Sequence, residues 1–180
     1  MVRWIYTFMV GLFGAAAIHL ALVFLVPSQS NRTAYAQLAA LAPPHVLVPL
    51  TEPFAGNPPL LRDDPLQRAV ACRFDIADAP ARLVADGRVP LWTLSVFDPV
   101  GVSIFSISDR TSPDLDVDIV VATPFQAVEL RRDAPDAIEG TVIVETTALK
   151  GLLVLRAIQP DDSFKPIVDA FLARAECGSM

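Results

Sequence analysis

Acid–base or nucleophilic catalysis near neutral pH asks first for an imidazole, and the chain holds two histidines, His19 and His45. His19 falls within an apolar run and His45 within a proline-rich stretch, so neither offers a base to a Ser/His/Asp or Cys/His site. His19 reads as a neutral group facing a partner helix or the membrane interface, against the alternative of an ionisable group placed in a span for function. Zinc wants three or four nitrogen or sulfur ligands, and Cys72 and Cys177 stand far apart with no Cys-x-x-Cys or His-x-x-x-His spacing. Asp114, Asp116 and Asp118 imitate the first half of an EF-hand loop. The glycine such a loop needs is replaced by Ile119, and its closing glutamate by Phe125. On a strand, Asp116 and Asp118 share one face, as a solvated edge requires. The pairs Asp63-Asp64 and Asp161-Asp162 precede turn or helix-start signals and read as caps, because adjacent carboxylates point apart. The eight glycines form no phosphate-binding pattern. No catalytic residue, metal or cofactor is therefore expected. The candidates for a pocket or interaction surface are Trp92, Phe105, Asp109 and Arg110, with core packing the simpler job for Trp92.

The elements that would position these residues begin with a membrane segment. Trp4 to Val26 is 23 residues without a formal charge, and about 20 suffice to cross the hydrocarbon core. Trp4 and Tyr6 mark one interface; Pro27 and the polar run to Arg32 close the other. Arg3 before the span, against Arg32 and Arg62 after it, favours an N-terminus inside and a domain outside. The rival is a cleaved signal peptide, since Ala34-Tyr35-Ala36 has the small-x-small pattern. The apolar run exceeds the usual length of such a leader's core, so an uncleaved anchor is expected.

The 180 residues thus leave one ordinary domain outside the span. With 53% hydrophobic and 19% charged residues the chain is too apolar for disorder. Beyond residue 26, 13 Lys and Arg oppose all 20 Asp and Glu, a net charge of −7 that argues against nucleic acid. In an oxidising compartment Cys72 and Cys177 are expected to pair, tying the last element to the first strand; two separate buried thiols are the alternative.

Three segments follow: an anchor over 1–32, a membrane-proximal helix and proline-rich strap over 33–65, and a strand-rich domain over 66–180. Helix formers with Tyr35, Leu38 and Leu41 three apart predict a short amphipathic helix that Pro43-Pro44 stops. Strands are expected over Val70–Ile76, Leu91–Phe97, Val102–Ser108 and Asp116–Ala122. Asp98-Pro99-Val100-Gly101 closes a hairpin between the second and third. Thr123 and Gln126 suggest a capping box for a helix from Phe125 to Arg132, with a strand nearly as well supported. Thr141–Glu145 and Leu152–Ile158 are expected to form a second hairpin. Phe164, Val168, Phe171 and Ala175 predict a terminal amphipathic helix stopped by Gly178 and packed on the sheet. The class is α+β: a transmembrane helix, then a mainly antiparallel domain with a C-terminal helix.

The segments Cys72-Arg73-Phe74-Asp75-Ile76, Pro90 to Phe97 with Gly101, and Ile104 to Arg110 resemble the bacterial family called domain of unknown function 1254. The likeness takes in the anchor, Gly151 to Arg156 and Cys177, in a short membrane-bound form. It implies no activity. It does imply a partner, because members resemble the N-terminal part of larger proteins that also carry the domain of unknown function 1214. The expected role is a non-catalytic binding or assembly module, anchored in the bacterial inner membrane with its domain facing the periplasm or exterior. One alternative is an envelope enzyme or enzyme subunit in which Asp109, Arg110, Asp116 and Asp118 converge around a small substrate. Another is a small-ligand carrier with Trp92 and Phe105 in a cavity.

Overall fold

The structure, a computed structural model, describes residues 2–29, 33–60, 64, 66–112, 115–133 and 135–180. Arg32, Arg62, Asp63, Pro65 and Asp114, which figure in the sequence reading, lie outside the described residues. The chain divides into two compact units, Met1–Thr33 and Ala34–Met180.

The first unit is one helix, α1 (Val2–Gln29), which runs past Pro27 for two residues. Pro27 carries no N–H, so the one ladder bond it would give, to the Val23 carbonyl, is missing in the last turn. Within it Val2–Leu25 spans 24 residues at a mean hydropathy of 2.3. It is long and apolar enough to cross a membrane, and a signal sequence meets the same test.

The second unit is α+β. After α2 (Ala34–Leu41) come β1 (Leu47–Pro49), β2 (Gln67–Asp75), β3 (Ala81–Ala85), β4 (Trp92–Phe97), β5 (Ser103–Ser108) and β6 (Val117–Ala122). Then follow α3 (Pro124–Asp133), β7 (Val142–Glu145), β8 (Lys150–Ile158), α4 (Lys165–Ala173) and β9 (Glu176–Ser179). One sheet has the order β1-β2-β8-β4-β5 and is antiparallel throughout. The other, β7-β6-β3-β9, is antiparallel except for the parallel pair β6–β7.

The two sheets enclose one core because each strand turns alternate residues inward. Cys72 and Phe74 of β2, Trp92, Leu94 and Val96 of β4, and Leu153 and Leu155 of β8 meet Leu83 of β3 and Ile119 and Val121 of β6. Val168 and Phe171 of α4 join the same cluster, which packs the C-terminal helix on the sheets as expected. The opposite face of β2 and β8 is covered by Leu38 of α2 and by Val48 and Leu50 of the strap. The strap is therefore structural: it adds β1 as an edge strand, and Pro49 is tolerated there because an edge has no second neighbour to serve. A third cluster, Val120, Ala122 and Ala127, seats α3 on the outside of the second sheet.

Four expectations are corrected. Thr141–Glu145 and Leu152–Ile158 are not a hairpin, since β7 and β8 belong to different sheets. A helix between β6 and β7 forces a crossover, and crossovers give parallel pairs. The terminal helix ends at Ala173, and Gly178 is not its stop: Glu176–Ser179 turns back as β9 against β3. Asp116 and Asp118 do not mark an edge, because β6 lies between β7 and β3. Strand β3 was not expected at all, its alanine-rich Ala81-Arg82-Leu83-Val84-Ala85 having weak strand propensity.

Gly151 shows how closely the first sheet is filled. It lies opposite Phe74 in the ladder, and a Cβ there would stand 2.2 Å from the Phe97 carbonyl oxygen and 2.5 Å from the Phe74 ring. The carbonyl is backbone and cannot swing aside. Gly151→Ala is expected to cost about 3 kcal/mol by overpacking, read as a lower urea midpoint at constant m. A loss below about 0.5 kcal/mol would show that the sheet can part here.

Candidate functional site

The two cysteines form a disulfide, Cys72–Cys177, with Cα atoms 6.5 Å apart and a sequence separation of 105. It joins β2 of one sheet to β9 of the other. Trp92 is 1% exposed in the core between the sheets, and its indole N–H donates to the Leu115 carbonyl at 3.0 Å. Phe105, half-buried on β5, packs against that same core. Asp109 follows β5 with its backbone N–H bonded to the Trp92 carbonyl, while Arg110 beside it is exposed.

The carboxylates that the enzyme alternative would gather with Asp109 and Arg110 line a concavity that includes neither of those two. Asp118 projects from β6 on the outer face and is gripped by Arg82 of β3 through two bonds, at 2.8 and 2.6 Å. The Thr141 hydroxyl donates to the same carboxylate at 2.8 Å. The Asp118 carboxylate in turn raises the Arg82 pKa further above its ordinary value. Asp118 is thus spent on a cross-strand ion pair of bidentate geometry. Asp116, exposed, lines a concavity of about 340 Å³ with Arg82, Val84, Asp86, Asp118 and Glu139. A second concavity, about 440 Å³, shares Arg82 and Val84 and continues over Glu176, Gly178 and Met180. A third of about 440 Å³ lies between β1, β2 and α4, with Arg68, Glu52, Leu172 and Asp169 among its walls. Trp92, Phe105, Asp109 and Arg110 line none of these three.

Among the described residues no group of three or more His, Cys, Asp or Glu side chains is placed to hold a metal ion. Asp161 caps the turn before α4, accepting from the Ser163 N–H at 2.8 Å, and its bonds to Ser163 hold its pKa below the ordinary carboxylate value. Asp75 is likewise lowered, first by the Lys150 ammonium and then by the Ala77 N–H. Both acidic groups have structural partners.

The feature that the sequence reading missed is the outer face of the second sheet. Helix α3 seats on Val120 and Ala122 of β6, together with Ile143 of β7. Over β3 and β9 that face is a shallow trough made up of two adjoining concavities that share Arg82 and Val84 in their walls, Gly178 lining the second. A Cβ placed on Gly178 would meet nothing within 4 Å, so the floor is open above it. Asp86, Asp116 and Glu139 rim one part and Glu176 the other, while the Arg82 charge is already answered by Asp118.

The sequence matches no family model, and no curated protein matches it. Solved structures do resemble the fold. The VPA0106 protein from Vibrio parahaemolyticus matches with a TM-score of 0.60 at 12% identity, over 82% of this chain and 32% of that one. An uncharacterised protein from Burkholderia cenocepacia matches with a TM-score of 0.46 at 12% identity, over 74% of this chain and 34% of that one. This chain therefore spans about a third of the length of the structures it resembles.

Proposed function

We propose that this protein is a membrane-tethered, non-catalytic binding module that holds a partner protein outside the cytoplasm of a bacterial cell. The observation that carries the reading is the half-covered outer face of the second sheet. One half seats α3 and the other, over β3 and β9, is an open trough with polar rims. Open faces of this kind, beside a free sheet edge, are where extended or flat partners dock. An uncleaved α1 as anchor in the inner membrane, and the domain on the periplasmic or outer side, complete the reading. The disulfide supports that side, because such bonds persist in oxidising compartments. A partner carrying the domain of unknown function 1214 is the specific expectation. It fits a fold that makes up about a third of a longer chain in the protein it resembles.

The enzyme alternative needed Asp109 and Arg110 to meet Asp116 and Asp118 in one cleft, and the cleft that holds the latter pair is completed by Arg82 and Glu139 instead. The carrier alternative needed a cavity at Trp92, whose ring is packed between the sheets. Crosslinking the full-length protein in its native membrane, followed by detergent extraction and mass spectrometry, tests the module directly. A stoichiometric partner is expected, absent from a control that keeps α1 and lacks the domain. Recovery of the protein alone from a well-crosslinked sample would overturn the reading.

A further inference from the structure

The arginines of the second unit are answered or solvated, with one exception among the described residues. Arg68, Arg82, Arg131 and Arg132 have carboxylate partners, and Arg73 reaches the Ala42 carbonyl and the Tyr35 ring. Arg88, Arg110 and Arg174 are exposed. Arg156 is neither. It is half-buried on β8, its Nε is shut off from solvent, and among the described residues its guanidinium has no ion-pair or hydrogen-bond partner. A cation left in that state carries a desolvation cost that a bound counter-charge removes.

The ladder fixes what stands beside it. Leu155 and Ala157 face the core, so Arg156 turns to the outer face of the first sheet. There it lies opposite Ala69 of β2 on one side and Thr93 of β4 on the other, and Thr93 lies opposite Ser108 of β5. The β2 side is closed, because Ala69 is buried in one cluster with Leu38 and Leu50. The β4 side is lined by hydroxyls. Thr93 and Ser108 are half-buried, and among the described residues their hydroxyls bond to no protein group. Two residues along, exposed Ser106 donates to Ser95 on the same face at 2.9 Å. Asp109, next after Ser108, has its N–H on the Trp92 carbonyl and alternates to the other face. An arginine is long enough to lay its fork over the neighbouring strand, about 4.8 Å away, which leaves the space of one small anion before Ser108 on the next strand.

A guanidinium and two hydroxyls in one row, with no carboxylate among them, are the donor set of an oxyanion site. The fork engages two oxygens and the hydroxyls want a third, which a phosphate offers and a carboxylate does not. We infer that the Arg156–Thr93–Ser108 row binds the phosphate group of a small solute. The row lies on the other sheet from the trough, so it stands or falls apart from the binding-module reading.

Equilibrium dialysis of labelled inorganic phosphate against the detergent-solubilised full-length protein, at constant ionic strength, tests the site. Saturable binding of one phosphate per chain is expected, with acetate competing at least ~10-fold more weakly. Arg156→Gln is expected to weaken phosphate binding at least ~10-fold, and Thr93→Val and Ser108→Ala about 3-fold or more each, while Arg174→Gln leaves it unchanged. If Arg156→Gln does not fold, the two hydroxyl variants decide. No saturable binding, acetate binding as well as phosphate, unchanged affinity in the row variants, or an equal loss in Arg174→Gln would overturn the inference. Phosphatidylglycerol added to the micelle is expected to leave the phosphate affinity unchanged; displacement by it would overturn the assignment to a solute in favour of a lipid headgroup.

Discussion

Replacing both bridged cysteines, Cys72→Ala with Cys177→Ala, is expected to lower the stability of the domain by about 4–5 kcal/mol. A crosslink closing a loop of this order removes about that much freedom from the unfolded chain. For a domain near 150 residues this is a fall of roughly 10–15 °C in thermal midpoint, and a large share of the 5–15 kcal/mol that holds an ordinary domain together. The location adds a local consequence. Cys72 is fully buried in β2, whereas Cys177 sits on β9, a four-residue strand with one neighbour. The bridge is the covalent tie from that strand to the opposite sheet, so its loss should fray β9 and empty the trough before the core melts. Calorimetry of the wild type with and without reductant, beside the double variant, checks the claim. Reductant should bring the wild type to the variant's midpoint, and an unchanged midpoint with both thiols alkylated would refute it.

Trp92→Ala should cost a further large amount, about 3–5 kcal/mol, because it empties the space of the largest buried ring between the two sheets. Trp92→Phe separates the two parts of that cost. It keeps most of the volume and leaves the Leu115 carbonyl without its donor, which is worth about 1–3 kcal/mol if that oxygen stays dry. Leu115 itself holds a positive φ of 64°, so the bond also pins a strained turn between β5 and β6. Urea unfolding of the three proteins measures both steps. A carrier would behave differently: Trp92→Phe would alter ligand affinity and leave stability nearly unchanged.

Much of this fold was legible because its signals are local. The β4–β5 hairpin was marked by Asp98 and Gly101, and the structure shows why: the Asp98 carboxylate accepts from the Val100 and Val102 N–H groups, and Gly101 holds φ at 94°. The capping box of α3 closes as its spacing suggested, with Thr123 and Gln126 exchanging backbone-to-side-chain bonds at 2.9 and 3.3 Å. Sheet membership is not local. Thr141–Glu145 and Leu152–Ile158 each look like half of a hairpin, and only the helix standing between β6 and β7 tells that the first pairs in parallel across a crossover. Strand β9 was hidden because Ala175 extends the helical spacing of α4 and Gly178 resembles a helix stop. The trough was therefore out of reach, since it is built from β3 and β9, two of the three strands that local propensity failed to mark.

The proposed tether, a retained helix that holds the disulfide-stapled domain at a membrane, makes one measurement decisive: the intact mass of the protein extracted from the membrane fraction, alkylated without reductant. The expected result is a chain that keeps Val2–Gln29, two hydrogens light and carrying no alkyl group. A chain that begins after Ala36, or one bearing two alkylated thiols, would contradict the tether or the staple respectively.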